Sequence, residues 1–178
     1  MTTNEKTTPK PKIALSRRAK AEWTGDLVHG SGRLTVGSGA VDVPYSVRSR
    51  FEDGQSATNP EELLGAAHAG CFTMALAAQL SGAGFTPTDI HTDAKVAFEK
   101  IGDAFAITGI ELVTSANVPG IDDATFQKFV ADAKQNCPVS KALAAIEIRV
   151  KATLEQTARS PSSTRIATAD RDDQRMSV

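Results

Sequence analysis

Residues 58 to 80 restrict the fold more than any other stretch of the chain: Thr58-Asn59-Pro60-Glu61-Glu62-Leu63-Leu64-Gly65-Ala66-Ala67-His68-Ala69-Gly70-Cys71-Phe72-Thr73-Met74-Ala75-Leu76-Ala77-Ala78-Gln79-Leu80. The opening reads as a helix start. Asn59 suits the N-cap, Pro60 the first helical position, and Glu62 the third, where a carboxylate completes a capping pattern. Beyond the first turn, Leu63, Leu64, Cys71, Phe72, Met74, Leu76 and Leu80, with alanines between them, leave no continuous polar face. A helix apolar all round is normally buried on every side. The stretch is short, and rich in Ala and Gly, for a membrane span. The expectation is a central helix wrapped by the rest of the chain, with a thiol in its middle.

The wrapping material is β-structure on both sides of that helix. Ala19, Ala21 and Trp23 alternate with Lys20 and Glu22, Leu34 and Val36 with Arg33 and Thr35, and Val43, Tyr45 and Val47 with Pro44 and Ser46. Glycine-rich breaks separate them, which predicts a three-stranded antiparallel meander with Pro44 at an edge or a bulge. The helix is stopped by Ser81-Gly82-Ala83-Gly84 and kept stopped by Pro87. A second sheet follows, with Ala94, Val96 and Phe98, a turn at Gly102-Asp103, then Phe105 and Ile107, then Ile110 and Leu112. The apolar phase slips by one residue near Gly109, which predicts a bulge. Asp122 or Asp123 caps an amphipathic helix bearing Phe126, Phe129, Val130 and Ala133, which fades at Cys137-Pro138. One more helical turn is predicted over 140–145, and Ile146 to Leu154 alternate as the cleanest strand of the chain. The predicted class is α+β, two antiparallel β-sheets around a buried central helix. Residues 17–156 form the domain, and the polar segments 1–16 and 157–178 are expected to be disordered tails.

A net charge of -1 and a pI near 6.3 give no electrostatic case for nucleic acid or an anionic membrane as partner. The basic N-terminal segment offers only Ile13-Ala14-Leu15 as an apolar run, so no secretory signal is read and the cytoplasm is the expected location. In a reducing compartment, Cys71 and Cys137 are core thiols, metal ligands or redox groups. Their separation of 66 positions, with His29, His68 and His91 scattered, matches no zinc spacing. No nucleophile elbow or phosphate-cradling loop is present. Taken singly, Cys71 reads as a small hydrophobe, His68 as a packed side chain, Arg50 as a surface arginine and Glu61 as a first-turn carboxylate. Against that stand two lone cysteines on separate elements of one domain, with Cys137 before a proline at a helix end, where a side chain is expected to be accessible.

The run Arg50-Phe51-Glu52, continued by Thr58-Asn59-Pro60-Glu61-Glu62-Leu63-Leu64-Gly65-Ala66-Ala67-His68-Ala69-Gly70-Cys71-Phe72, resembles the osmotically inducible protein C/organic hydroperoxide resistance (OsmC/Ohr) family, and most closely its OsmC branch. Val118-Pro119-Gly120-Ile121 and Cys137-Pro138-Val139-Ser140 resemble that branch too. The similarity spans about Ala19 to Leu154, so 17–156 is read as one OsmC-like domain. It implies a thiol-dependent peroxidase of stress defence that reduces organic hydroperoxides to alcohols. Such an enzyme works as a homodimer, without metal or other cofactor, and draws on a dithiol reductant such as a lipoyl protein. Cys71 would be the peroxidatic cysteine, Cys137 the resolving one, and Arg50 and Glu61 the polar residues that activate the first thiol. In a straight helix Glu61 and Cys71 stand about 15 Å apart along the axis, at about 1.5 Å per residue. Either the helix breaks near Gly65 or Gly70, or Glu61, with Arg50, acts on the thiol of a partner chain. A helix apolar on every face needs more cover than two small sheets give, which favours an intertwined homodimer. Leu63, Phe72 and Met74 are candidates for an apolar lining. The rival reading is a non-enzymatic dimeric domain that binds a lipid-like ligand in an apolar pocket and keeps its cysteines inert.

Overall fold

The structure is a computed structural model that describes residues 15–52 and 54–155. Apart from residues 15 and 16, both predicted tails lie outside the described residues, as does Asp53. The elements, in chain order, are β1 (Ala19–Thr24), β2 (Ser31–Val36), β3 (Asp42–Tyr45), α1 (Val47–Phe51), α2 (Pro60–Gly82), β4 (Asp89–Ile101), β5 (Ala104–Asn117), α3 (Asp123–Asn136), α4 (Pro138–Ala142) and β6 (Glu147–Glu155). They form two three-stranded sheets, β1-β2-β3 and β4-β5-β6, within the predicted α+β class.

α2 is one unbroken helix of 23 residues. The Asn59 side chain accepts the Glu62 N–H at 2.8 Å, and Pro60 occupies the first turn, as the sequence predicts. The helix ends in a Schellman arrangement. Phe85 N–H reaches Leu80 O and Gly84 N–H reaches Ser81 O, both at 3.0 Å, with Gly84 at φ +85°. Gly65, His68, Phe72, Leu76 and Leu80 recur every three or four residues on the buried side. They meet Ile110, Leu112 and Ala116 of β5 and Phe126, Val130 and Ala133 of α3. At Gly65 the helix runs close over β4: a Cβ there would stand 3.4 Å from Val96 Cγ2. Although α2 is long and apolar enough to cross a bilayer, this inward face carries Glu61 and His68 into the core.

Burial on every side is not found in the single chain, which corrects the expectation of a fully wrapped helix. Ala66, Gly70, Met74 and Ala78 face outward, and Met74 is 69% exposed. The physical reason is that a helix seated on one sheet covers one side only, and the other sheet contributes no residue to the core. That sheet is the predicted antiparallel meander, with β3 and its Pro44 at an edge. It is tied to the start of α2 by a bridge between Tyr45 and Thr58 and by Thr58 N–H on Pro44 O at 3.0 Å.

The second sheet holds the predicted bulge. Ala97 pairs with Gly109 and Phe98 with Ile107, so Thr108 is the extra residue. The sheet is mixed, not antiparallel throughout as expected, because β6 runs parallel to β5 with Ile110 opposite Ile148 and Ala116 opposite Leu154. The connection from β5 to β6 passes through α3 and α4, and such a crossover is what parallel neighbours require. Asp122 caps α3, its side chain accepting Thr125 N–H at 2.8 Å. Cys137 closes α3 and opens α4, so the last helical turn begins two residues earlier than predicted. Pro138 takes the first helical position, where its missing N–H costs nothing.

Candidate active site

The two cysteines meet. Cys71 lies half-buried on α2, and Cys137, at the junction of α3 and α4, is fully buried. This corrects the expectation that the helix end before Pro138 leaves Cys137 accessible: α4 folds back over α2 and closes it in. Cys71 packs against the core cluster that holds Cys137, each thiol perturbs the ionisation of the other, and both are free. Burial pushes the Cys71 thiol up, against the Val139 N–H, and the neighbouring Cys137 sulfur pushes it further. Burial also opposes ionisation of Cys137. There the Ser140 N–H and hydroxyl, the Cys71 thiol and the Val139 N–H outweigh it, and the net direction is down. In one chain the two shifts thus run in opposite directions, up for Cys71 and down for Cys137. The Cys137 side chain makes no capping bond across the first turn of α4.

The second polar pair sits at the other end of α2. α1 is held by a reciprocal cap in which the Ser46 side chain accepts Ser49 N–H and the Ser49 side chain accepts Ser46 N–H. The Ser49 hydroxyl donates to Thr58 O at 2.7 Å, and Asn59 Nδ2 donates to Ser49 O at 3.0 Å. These bonds clamp α1 to the start of α2 and carry Arg50 onto Glu61. Arg50 Nη2 donates to Glu61 Oε1 at 2.7 Å, and Nε lies 3.1 and 3.2 Å from the two carboxylate oxygens. The guanidinium also stands 4.4 Å over the Phe98 ring, an arrangement that fixes its plane. Arg50, Glu61, Phe51, Phe98 and Phe105 line an open cleft of about 480 Å³. Arg48, also in the charged run before the helix, turns instead to Glu52 on the surface.

All four residues singled out in the sequence are thus paired, Cys71 with Cys137 and Arg50 with Glu61, but the two pairs do not meet in one chain. α2 does not break at Gly65 or Gly70, so ten residues of straight helix, about 15 Å, separate Glu61 from Cys71. The expected apolar lining is also redistributed. Phe72 is a core residue, whereas Phe51, Phe98 and Phe105 form an aromatic cluster beside Arg50, with ring centroids 5.0 to 5.8 Å apart.

Sequence reasoning passed over Ser140. Its Oγ lies 2.8 Å from His68 Nε2, and both residues are buried. One signal was available: a serine three positions after a cysteine that opens a helix lies beside that cysteine's sulfur. Among the described residues no cluster of three or more His, Cys, Asp or Glu side chains is placed to hold a metal ion.

Residues 52–153 match a family model described as OsmC-like protein. Peroxiredoxin OsmC of Escherichia coli is 47% identical over 134 residues, which cover 75% of this chain and 93% of that protein. An organic hydroperoxide resistance protein of Xanthomonas axonopodis is 34% identical over 113 residues, 62% of this chain and 78% of that one. Among solved structures, the organic hydroperoxide resistance protein OhrB of Bacillus subtilis superposes with a TM-score of 0.58 at 27% identity, covering 78% of this chain and 98% of that one. A Legionella pneumophila OsmC structure gives a TM-score of 0.64 at 23% identity, over 82% of this chain and all of that one, a likeness of fold.

Proposed function

The chain belongs to the OsmC-like protein family, and from that premise we propose that it is a cysteine-based peroxidase that reduces organic hydroperoxides to alcohols in oxidative and osmotic stress defence in the cytoplasm. The observation that carries this reading is that Cys71 on α2 and Cys137 at the junction of α3 and α4, 66 positions apart in sequence, pack into one core. Two thiols brought together in one core fill space as small hydrophobes, and they also have what a reaction ending in a disulfide requires.

In this reading the Cys71 thiolate attacks the outer oxygen of the hydroperoxide. The S–O bond forms, the O–O bond breaks, and the alkoxide leaves and takes up a proton as the alcohol. Cys137 then displaces hydroxide from the Cys71 sulfenic acid to give the disulfide. A dithiol, with a lipoyl protein as the candidate donor, restores both thiols by exchange.

Thiolate fraction alone cannot supply the rate. A thiol of pKa near 8.5 is about 5% ionised at about pH 7.2, so full ionisation gains only about twentyfold. The larger share falls to donors that orient the peroxide and stabilise the departing alkoxide. The Arg50 guanidinium, clamped by Glu61 and backed by Phe98, has the required rigid fork. The aromatic cleft beside it suits an organic substituent.

Because that fork is remote from Cys71 in its own chain, we place the working site between two chains of a homodimer. Cys71 and Cys137 come from one chain, and Arg50 and Glu61 from the other. The outward apolar face of α2 through Met74 and the sheet β1-β2-β3, which lacks a core of its own, supply surface for such an intertwined pairing. An arginine brought to Cys71 from a second chain would also oppose the burial that disfavours its thiolate.

The test is oxidation of the reduced protein with one equivalent of cumene hydroperoxide, followed by mass spectrometry. The wild type is expected to lose two hydrogens, and Cys137→Ser to gain one oxygen on Cys71, moving on to higher oxides when peroxide is in excess. If both thiols stay free in the wild type, the cysteines are inert and the apolar-ligand reading takes over.

A further inference from the structure

His68 is fully buried on the inward face of α2, three residues before Cys71. Its Nε2 meets Ser140 Oγ at 2.8 Å, and its Nδ1 has no partner among the described residues. A buried ring atom left unpaired in a native core calls for an explanation. Burial pushes the imidazole down and no carboxylate opposes it, so the ring is neutral and carries one proton. Placed on Nδ1, that proton would be an orphaned buried donor, and Ser140 would spend its hydroxyl on Nε2. Placed on Nε2, the orphan is only a lone pair, the cheaper loss, and His68 donates to Ser140. The network thus assigns the Nε2–H tautomer. Ser140 Oγ, already an acceptor from His68, is left to donate its proton, and the Cys137 sulfur, at the N-cap of the turn in which Ser140 is the third residue, is the acceptor within its reach.

We propose that His68 and Ser140 serve the resolving half of the reaction: His68 is a positioning residue that fixes the Ser140 hydroxyl as a hydrogen-bond donor to the Cys137 sulfur, so that this sulfur attacks as a thiolate. The inference rests on the reading of Cys137 as the resolving cysteine. In the step it assists, the Cys137 thiolate forms the S–S bond with the Cys71 sulfenic acid. The S–O bond breaks, and hydroxide leaves with the bonding pair and takes a proton from solvent to become water. Over the whole cycle, two thiols and one hydroperoxide give one disulfide, one alcohol and one water. His68 does not act as a base here. Protonation would bury a cation that the surroundings already disfavour and add an unpaired N–H at Nδ1. The titratable groups that face Cys137 are Cys71 directly and His68 through Ser140.

Single-turnover kinetics with cumene hydroperoxide separate the two chemical steps, peroxide consumption and disulfide formation, the latter by alkylation quench and mass spectrometry. Ser140→Ala should consume peroxide within about twofold of the wild-type rate and form the disulfide at least about tenfold more slowly, the loss expected for a hydrogen bond to a charged group. Cys71 sulfinic acid should then accumulate under excess peroxide. His68→Gln, whose amide can still donate to Ser140, should resolve faster than His68→Leu. In a Cys71→Ser background, adding Ser140→Ala should shift the midpoint of Cys137 alkylation to higher pH. An unchanged disulfide rate in Ser140→Ala, or an unmoved alkylation midpoint, overturns the proposal. A wild type that forms no disulfide at all overturns instead the peroxidase reading on which it rests.

Discussion

Arg50 is held by two nitrogens on Glu61 and by the face of Phe98, so its charge is the least of what it contributes. A lysine would keep that charge but lose the fork that grips the Glu61 carboxylate and, in the proposed site, would orient the peroxide. Arg50→Lys is therefore expected to be nearly as damaging as Arg50→Ala, with kcat/KM for organic hydroperoxide at least about a hundredfold below wild type, the scale of losing one transition-state donor. Steady-state peroxide consumption decides it, and a lysine variant that keeps most of the activity would reduce Arg50 to an electrostatic neighbour. At this scale the sequence was readable only through the family resemblance. Nothing in a spacing of eleven positions pairs Arg50 with Glu61, and nothing in one of 72 positions pairs His68 with Ser140. Such contacts are made by tertiary packing, which local periodicity does not encode.

At the scale of elements, the local signals were strong where local chemistry decides. Asn59-Pro60 opens α2, Gly84 ends it, and the slipped phase near Gly109 is the bulge at Thr108. Alternation in Ile146 to Leu154 made a strand plain but could not give its direction, because period two looks the same along either sense of the chain. The sense comes from the α3–α4 crossover, which returns β6 parallel to β5. The apolar circumference of α2 was read as burial within one chain. The structure divides it into a core side and an outward side, since hydrophobicity reports that a face is to be covered and not by what.

The whole-molecule question is who supplies that cover. If each active site takes Cys71 from one chain and Arg50 with Glu61 from another, two inactive proteins can repair each other. Mixing and refolding Cys71→Ala with Glu61→Ala should return activity, because heterodimers hold one intact site; each parent alone should stay inactive. Half of a random mixture is heterodimer with one working site of two, so about a quarter of wild-type activity is the expected ceiling, taking statistical pairing of symmetric dimers. No recovery, with heterodimers present by native mass spectrometry, would sink the shared site.

The position of the thiols, on α2 and at the junction of α3 and α4, also means that in the proposed cycle each turnover would tie a knot in the chain's freedom. A disulfide between Cys71 and Cys137 would close a loop of about 66 residues, from which loop-closure entropy alone removes about 4 kcal/mol of the unfolded state's advantage. In the proposed cycle the chain would alternate between a covalently laced form and an open one, with substrate itself switching the lacing on. Chemical denaturation of peroxide-treated and dithiol-reduced protein should show the oxidised form as the harder to unfold; equal midpoints would mean that the bond strains the native state by as much as it confines the unfolded one. On that expectation the enzyme would be sturdiest just after it has met the oxidant, and would loosen only when a reductant returns it to work.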